Sequence, residues 1–354
     1  MKTPLRLIPL LEPIRPQMER VECLLHETYA QVEEPLGSML RCSLSGGKRL
    51  RPALVVLVGR MLTSSAPPPN PPVGEESSSA PFHILAAAVE MLHAATLIHD
   101  DLLDEAPLRR GRKTLHTVWP SGATVLAGDY LLAQAAALIA ETKHPRILKV
   151  FAETLCIMCA GEIRQMYVIR GKQSRIRAAV EQTALDSMGR YGREDYYRSI
   201  EAKTASLCAA AMEMAGLLAG AGESQIAALR HFGRELGMAF QIVDDVLDFI
   251  SDETQLGKPA GSDLRLGLIT LPTLYYLERT EDDISVNDVL SGQQGEEHVR
   301  AAIEAICSSG AIESALAEAR AHARQGQEAL AMLPDNGSRQ MLCSLAKYVV
   351  ERNR

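Results

Sequence analysis

An all-α fold is what the sequence predicts, and three observations carry it. Ala and Leu supply most of the apolar content: 47% of the 354 residues are hydrophobic but only 4% aromatic, with Trp119 the one tryptophan. Those residue types favour packed helices over strands. Val and Ile never form the regular alternating runs that a half-buried sheet needs. Apolar residues instead recur at helical spacing through long stretches separated by glycines or short polar clusters. The apolar fraction is large enough for a sizeable core, which excludes global disorder.

Taken in order, residues 17–42 read as a first amphipathic helix, broken by Ser45-Gly46-Gly47. Pro52 opens a second helix over 53–62, because proline is tolerated in a first turn. Residues 63–81 are rich in Pro and Ser and build neither helix nor core, so they read as a mobile surface insertion. Helical patterns follow at 82–104, 122–142, 144–170, 177–190, 203–220, 224–250, 268–279, 296–308, 311–332 and 338–352. No fixed-period repeat and no linker after residue 81 divides the chain, so one domain over 1–354 is the simplest reading.

Charge narrows the function. Lys and Arg total 37 against 44 Asp and Glu, a formal −7. An acidic chain with few aromatics lacks the basic stripes and stacking platforms of nucleic-acid binders. It also lacks the basic excess of a membrane-surface protein. The most apolar runs, 84–98 and 205–222, contain Glu90 and His93, or Glu213, so no stable membrane insertion is expected. Prolines at 4, 9, 13 and 16 interrupt any signal-peptide core. The seven cysteines are scattered singly except Cys156 and Cys159, which predicts a reduced, cytoplasmic chain. That pair lies in an apolar helical stretch and reads as core packing. Metal or redox chemistry is the alternative, but no second pair completes a site.

The acidity is concentrated. The chain holds 15 Asp, none before Asp100, and six of them fall in Asp100-Asp101-Leu-Leu-Asp104 and Asp244-Asp245-Val-Leu-Asp248. At this Asp frequency the expected number of such five-residue matches is about 0.03 per chain, so two need a cause. On a helix, Asp100 and Asp104 share a face, with Asp101 at its rim. Like charges so placed repel, and hard divalent cations compensate. Mg²⁺ suits them, because it takes few carboxylates and keeps waters and substrate phosphate oxygens. Two such faces opposite one another would wall a cleft. Solvated helix faces are the plain alternative, but both clusters lie inside apolar segments.

Basic residues complete the pattern. Gly46-Gly47-Lys48-Arg49-Leu50-Arg51-Pro52 packs three cations into a glycine-hinged loop before a helix N-terminus, a setting that favours an anion. Arg109-Arg110-Gly111 adds two guanidiniums suited to bidentate phosphate recognition. Metal-binding acids and cations beside them imply a substrate with phosphates, a diphosphate gaining weight, and the apolar helix leading into the first cluster implies an apolar partner on the other side.

At this point the residues resemble the trans-isoprenyl diphosphate synthases, or polyprenyl synthetases. The likeness covers most of residues 40–280. It includes the Gly46–Pro52 loop, Glu90-x-x-His93, the run Leu97–Asp104, Arg109–Gly111, Gly128-Asp129-Tyr130, Lys203-Thr204-Ala205, the run Gln241–Asp248, and Gly257-Lys258-Pro-Ala-Gly-x-Asp263. The resemblance implies the isoprenoid synthase fold, a bundle of about ten or more helices around a deep central cavity, usually in a homodimer, with a heteromer possible. It implies that Asp100, Asp101, Asp104, Asp244, Asp245 and Asp248 hold Mg²⁺, three ions with substrate bound, and that Asp100, Asp101, Asp104, Lys203, Asp244 and Asp245 form the catalytic set. Lys48, Arg51, His93 and Arg110 would bind isopentenyl diphosphate; Arg109, Lys203, Thr204, Gln241 and Lys258 would contact an allylic diphosphate. The activity implied is Mg²⁺-dependent head-to-tail condensation of the two, with released diphosphate as the base.

One departure stands out. After Asp263-Leu264-Arg265 the family pattern has a lysine where this chain has Leu268. Residues before Asp100 would line the elongation cavity. Ala95 and Thr96, with Ala88 further up, are small and leave it open, while Met91 and Leu92 narrow it. A product longer than farnesyl is expected, a polyprenyl diphosphate for a quinone side chain. The alternatives are a geranylgeranyl diphosphate synthase, a class I terpene cyclase, which would need a different second metal motif, and a regulatory subunit, which would have lost its acidic clusters.

Overall fold

The computed structural model describes residues 7–63, 80–109, 111–170, 191–250, 260–280, 284–290 and 295–352. These are almost wholly helical: α1 (Arg15–Ala30), α2 (Leu36–Leu44), α3 (Leu50–Leu62), α4 (Ala80–Leu103), α5 (Ser121–Glu141), α6 (Pro145–Arg170), α7 (Arg193–Ile200), α8 (Ser206–Leu218), α9 (Glu223–Ile250), α10 (Leu271–Leu277), α11 (Glu296–Ser308), α12 (Ala311–Ala329) and α13 (Gly337–Glu351), with shorter turns between. Among the described residues, the strand content is one antiparallel ribbon, β1 (Leu108–Arg109) against β2 (Arg112–Lys113).

Most expected helices are observed within a few residues, and two differ in kind. The helix read over 17–42 is two, α1 and α2, with Pro35 at the cap of the second. Proline has no N–H and its ring clashes with the preceding turn, so it starts helices and ends those before it. The helix read over 203–220 begins as a five-residue π turn, Glu201–Ala205, between α7 and α8. The helix read at 177–190 and nearly all of the Pro/Ser-rich insertion lie outside the described residues.

The chain divides into two compact units. The first comprises Met1–Thr154, Leu207–Gly233 and Gly326–Tyr348. Its centre is α4, which packs along α5 and also against α3 and α1. From Phe82 to Leu92 α4 is buried on nearly every side except at Ile84, as expected of a helix apolar all round. α4 and α5 are each long and apolar enough to cross a membrane, but α4 is mostly enclosed within its unit. At Gly128 a Cβ would stand 2.2 Å from His99 Nε2. Glycine there lets the His99 ring lie on α5, where Nε2 meets the Val125 carbonyl at 3.2 Å and Asp129 Oδ1 at 3.5 Å.

The second unit comprises Leu155–Ser206, Arg234–Gln325 and Val349–Arg354. Its core gathers Tyr196, Ile242, Val246, Leu271, Ile306 and Ala315 from five helices. The Cys156/Cys159 pair is not core packing: both thiols are exposed. Along α6, Phe151 and Thr154 of the first unit and Met158 of the second are buried, spaced three and four apart, and the two cysteines fall on the other phase of the helix.

One buried group gives the fold a pH dependence. His83, near the start of α4, is 5% exposed. Burial, with the Arg20 charge, pushes its pKa down from 6.5 to about 4. The unfolded chain therefore binds a proton at this site below pH 6.5 that the folded chain refuses until about pH 4. Stability falls as pH drops through that window. Melting temperature plotted against pH is expected to fall less steeply across that interval for His83→Leu than for the parent protein; parallel curves would remove His83 as the cause.

Candidate active site

The first acidic cluster sits where α4 ends. Asp100 is half-buried, Asp101 is buried, and Asp104 is exposed just past the last helical residue. The Asp104 N–H still donates to the Asp100 carbonyl at 2.8 Å. The helical turn is therefore complete and the expected i, i+4 relation holds. Arg109 on β1 donates from Nε to Asp101 Oδ1 at 2.7 Å. Burial raises the Asp101 pKa, Arg109 opposes it, and Asp104 adds to it. The net direction is upward, because burial outweighs the guanidinium.

The basic loop belongs to the same unit. Arg49 adopts a left-handed backbone at φ 50°, a conformation that costs a non-glycine residue free energy. Its side chain holds it there. Nη1 meets Glu90 Oε1 at 2.7 Å, Nε meets Glu22 Oε1 at 2.6 Å, and Nη2 donates to the Leu44 carbonyl at 2.5 Å. Glu90 is buried, and His93 follows it one turn later on α4. Lys48, exposed, and Arg51, half-buried, flank this anchor. Arg51 Nε is buried without a hydrogen-bond partner among the described residues. A buried, unfilled donor beside Lys48 is what an anion site requires.

The second cluster lies on the last turns of α9. Asp245 and Asp248 are buried; Asp244 is partly exposed. Asp245 is held from two sides, with Tyr196 O–H donating to Oδ2 at 2.6 Å and Gln241 Nε2 to Oδ1 at 2.9 Å. Gln241 is in turn fixed by Thr204 Oγ1, which donates to its Oε1 at 2.7 Å. Asp244 Oδ1 meets Arg352 Nη2 at 2.7 Å, and Arg352 lies over the Phe240 ring. Asp248 Oδ2 accepts from the Asp263 N–H at 3.0 Å. Lys203 Nζ meets Glu162 Oε2 at 3.0 Å. Burial, then the charges of Asp263 and Asp244, push the Asp245 pKa well above the carboxylate range, outweighing the two hydrogen bonds.

These donors fit Mg²⁺. Among the described residues no three ligating side chains converge on a point, and Mg²⁺ does not ask for that cage. It asks for hard oxygens, and the carboxylates of Asp244, Asp245 and Asp263 lie close enough to feel one another's charge. Arg110 and Lys258 lie outside the described residues. Ala88, Leu92 and Ala95 are buried along α4, and Thr96 is half-buried. Sequence reasoning missed Tyr196 and Arg352 as partners of the acidic cluster, and Glu22 and Glu162 as partners of its cations. None carries a local signal, because each meets its partner from a distant part of the chain.

Comparison with known proteins decides the lineage. The polyprenyl synthetase family model matches residues 33–306. The chain belongs to that family. It is 33% identical over 343 residues to the nonaprenyl diphosphate synthase of Mycobacterium tuberculosis, covering 96% of this chain and 93% of that one. It is 37% identical over 322 residues to heptaprenyl diphosphate synthase component 2 of Geobacillus stearothermophilus, covering 90% of each. The crystal structure of a Caulobacter crescentus polyprenyl synthase, complexed with calcium and isoprenyl diphosphate, superposes with a TM-score of 0.84 at 31% identity over the whole of both chains. The synthetase is thus a prenyltransferase on the isoprenoid synthase fold, as the motifs led one to expect.

The anchor at Arg49 gives a direct test. Arg49→Met leaves Glu90 buried without its counter-ion and is expected to cost about 3 kcal/mol in urea unfolding. Adding Glu90→Met should recover much of that loss. A double variant no more stable than Arg49→Met would show that the pair is not the source.

Proposed function

We propose that this prenyltransferase uses Mg²⁺ to condense isopentenyl diphosphate with an allylic diphosphate into a polyprenyl diphosphate longer than geranylgeranyl, for a quinone side chain. The observation that carries it is the end of α4. There the ion pair of Asp101 with Arg109 stands at the end of a helix whose earlier turns, Leu85 to Leu92, are largely apolar and buried. That arrangement matches a ligand with a diphosphate head and a hydrocarbon tail.

The proposed roles follow the residues. Asp100, Asp101 and Asp104, and Asp244, Asp245 and Asp248, supply the carboxylates for Mg²⁺, three ions with substrate bound. When bound, Mg²⁺ supplies the positive charge that offsets negative charge building on the departing diphosphate. Arg109, Lys203, Thr204, Gln241 and Lys258 contact the allylic diphosphate. Lys203 is held in reach by Glu162, and Gln241 is oriented by Thr204. Lys48, Arg51, His93 and Arg110 hold isopentenyl diphosphate, so its double bond meets the allylic carbon without the entropy of free encounter. The walls at Ala88, Leu92 and Ala95 keep water from the cationic carbon. No side chain is assigned as general base; the released diphosphate takes the proton.

Ala95 and Thr96 are small for a stretch that sets product length, which supports long products. Exposed Val118, Val125, Leu126 and Leu148 support a homodimer. A cytoplasmic setting accords with seven free cysteines.

Incubation with farnesyl diphosphate, isopentenyl diphosphate and Mg²⁺ should yield products beyond geranylgeranyl; products that stop there would refute the length assignment. Ala95→Phe should shorten the chain, and an unchanged distribution would mean that this face does not set it. Chelation should abolish turnover and lower the melting temperature relative to the metal-loaded protein.

A further inference from the structure

Lys203 and Thr204 stand in the π turn Glu201–Ala205. A π turn adds a residue to the helical circuit and recurs at functional sites. Such a departure from α geometry needs neighbours that hold it. Here both ends of the turn are held.

At its first residue, Arg234 of α9 forks onto Glu201, with Nε to Oε1 at 2.6 Å and Nη2 to Oε2 at 2.9 Å. The remaining nitrogen, Nη1, donates to Glu235 Oε1 at 2.5 Å. Glu235 is 1% exposed, and its other oxygen lies 2.5 Å from His322 Nδ1 on α12. Burial works against the Glu235 charge, yet His322 and Arg234 outweigh it and keep the carboxyl below its usual range. Arg234 is thus fixed from behind before it reaches Glu201. At the last residue of the turn, α9 presents Gly237, where a Cβ would lie 2.5 Å from the Ala205 Cα. Backbone rests on backbone there.

Between these two points hang the groups that matter. Thr204 commits its hydroxyl to Gln241 Oε1, which leaves Gln241 Nε2 for Asp245. A shift of the turn by a fraction of an ångström would break the first bond and free the Gln241 amide to rotate.

We propose that Arg234, Glu235 and His322 are positioning residues for the allylic diphosphate site. Through Glu201 they hold the π turn in the register at which Thr204 orients Gln241 and Gln241 orients Asp245. This rests on the proposed assignment of Thr204, Gln241 and Asp245 to that site. None of the three positioning residues touches the reacting groups.

Glu201→Ala removes the last link and leaves the buried Arg234–Glu235–His322 cluster in place. Both partners of the lost pair are partly exposed, so the melting temperature should shift by less than about 3 °C. In the metal-free protein, hydrogen exchange at the amides of residues 204–206 should quicken about fivefold, while the middle of α8 is unchanged. The KM for the allylic diphosphate should rise about tenfold with the KM for isopentenyl diphosphate unchanged. Glu201→Gln, which keeps an acceptor for Arg234, should fall between. Unchanged exchange together with unchanged allylic KM would overturn the proposal, and so would an equal rise in both KM values. Gln241→Ala is the reference. If it raises the allylic KM and both Glu201 variants do not, the positioning role alone fails. If Gln241→Ala does not raise it, the site assignment fails and takes the positioning role with it.

Discussion

Burying a carboxylate at the end of an apolar helix costs free energy that its neighbours must offset. Asp101 and Asp245 both meet that cost, and they meet it differently. Asp101 has a guanidinium at hydrogen-bond distance. Among the described residues Asp245 takes neutral donors, Tyr196 and Gln241, and it also faces the charges of Asp263 and Asp244. Hydrogen bonds favour the charged form, but they bring no charge of their own. Among the described residues, Arg352 pairs with Asp244. Much of the surrounding architecture follows from the burial of Asp245. Tyr196 is buried to reach Asp245, Gln241 is committed by Thr204, and Thr204 is placed by an irregular turn that has to be pinned.

The basic loop shows the same economy with the signs reversed. Three cations in four residues would repel one another if all faced one ligand. The middle one, Arg49, is turned away by its left-handed backbone and consumed by Glu22, Glu90 and the Leu44 carbonyl. Its charge becomes structural, and it docks the loop onto α4 one turn before His93. Lys48 and Arg51, on either side of it, are the cations proposed for an anion. An acidic residue in the Glu90-x-x-His93 pair is thus explained by the loop it anchors rather than by any contact with substrate.

What could be read from the sequence was local. The two aspartate clusters, the glycine-hinged loop and the helical periods depend on residues within a turn or two of each other, and the structure reproduces them. What could not be read depends on which distant surfaces meet. Pro35 divides α1 from α2 although the apolar period runs through it. Cys156 and Cys159 sit in an apolar stretch, yet only the packing of Phe151, Thr154 and Met158 decides which side of α6 is buried. Tyr196 and Arg352 reach the second cluster from 49 and 108 residues away along the chain. Arg109 could be assigned to a phosphate from its neighbours in sequence, but its bond to Asp101 needed the ribbon that turns it back.

Leu268 can now be placed in the same terms. Its N–H donates to the Asp263 carbonyl at 2.9 Å, and Gly267 before it takes the positive φ of the turn, 75°. Any side chain at 268 makes that backbone bond, so leucine in place of the family lysine leaves the turn intact and removes a charge. The charge is lost beside Asp263, whose carboxylate already pushes the Asp245 pKa upward. A site with fewer fixed cations must draw more of its neutralisation from bound metal. Under the proposed role of the second cluster, the departure from the family pattern bears on how strongly it draws on divalent cation and leaves the path of the backbone unaffected.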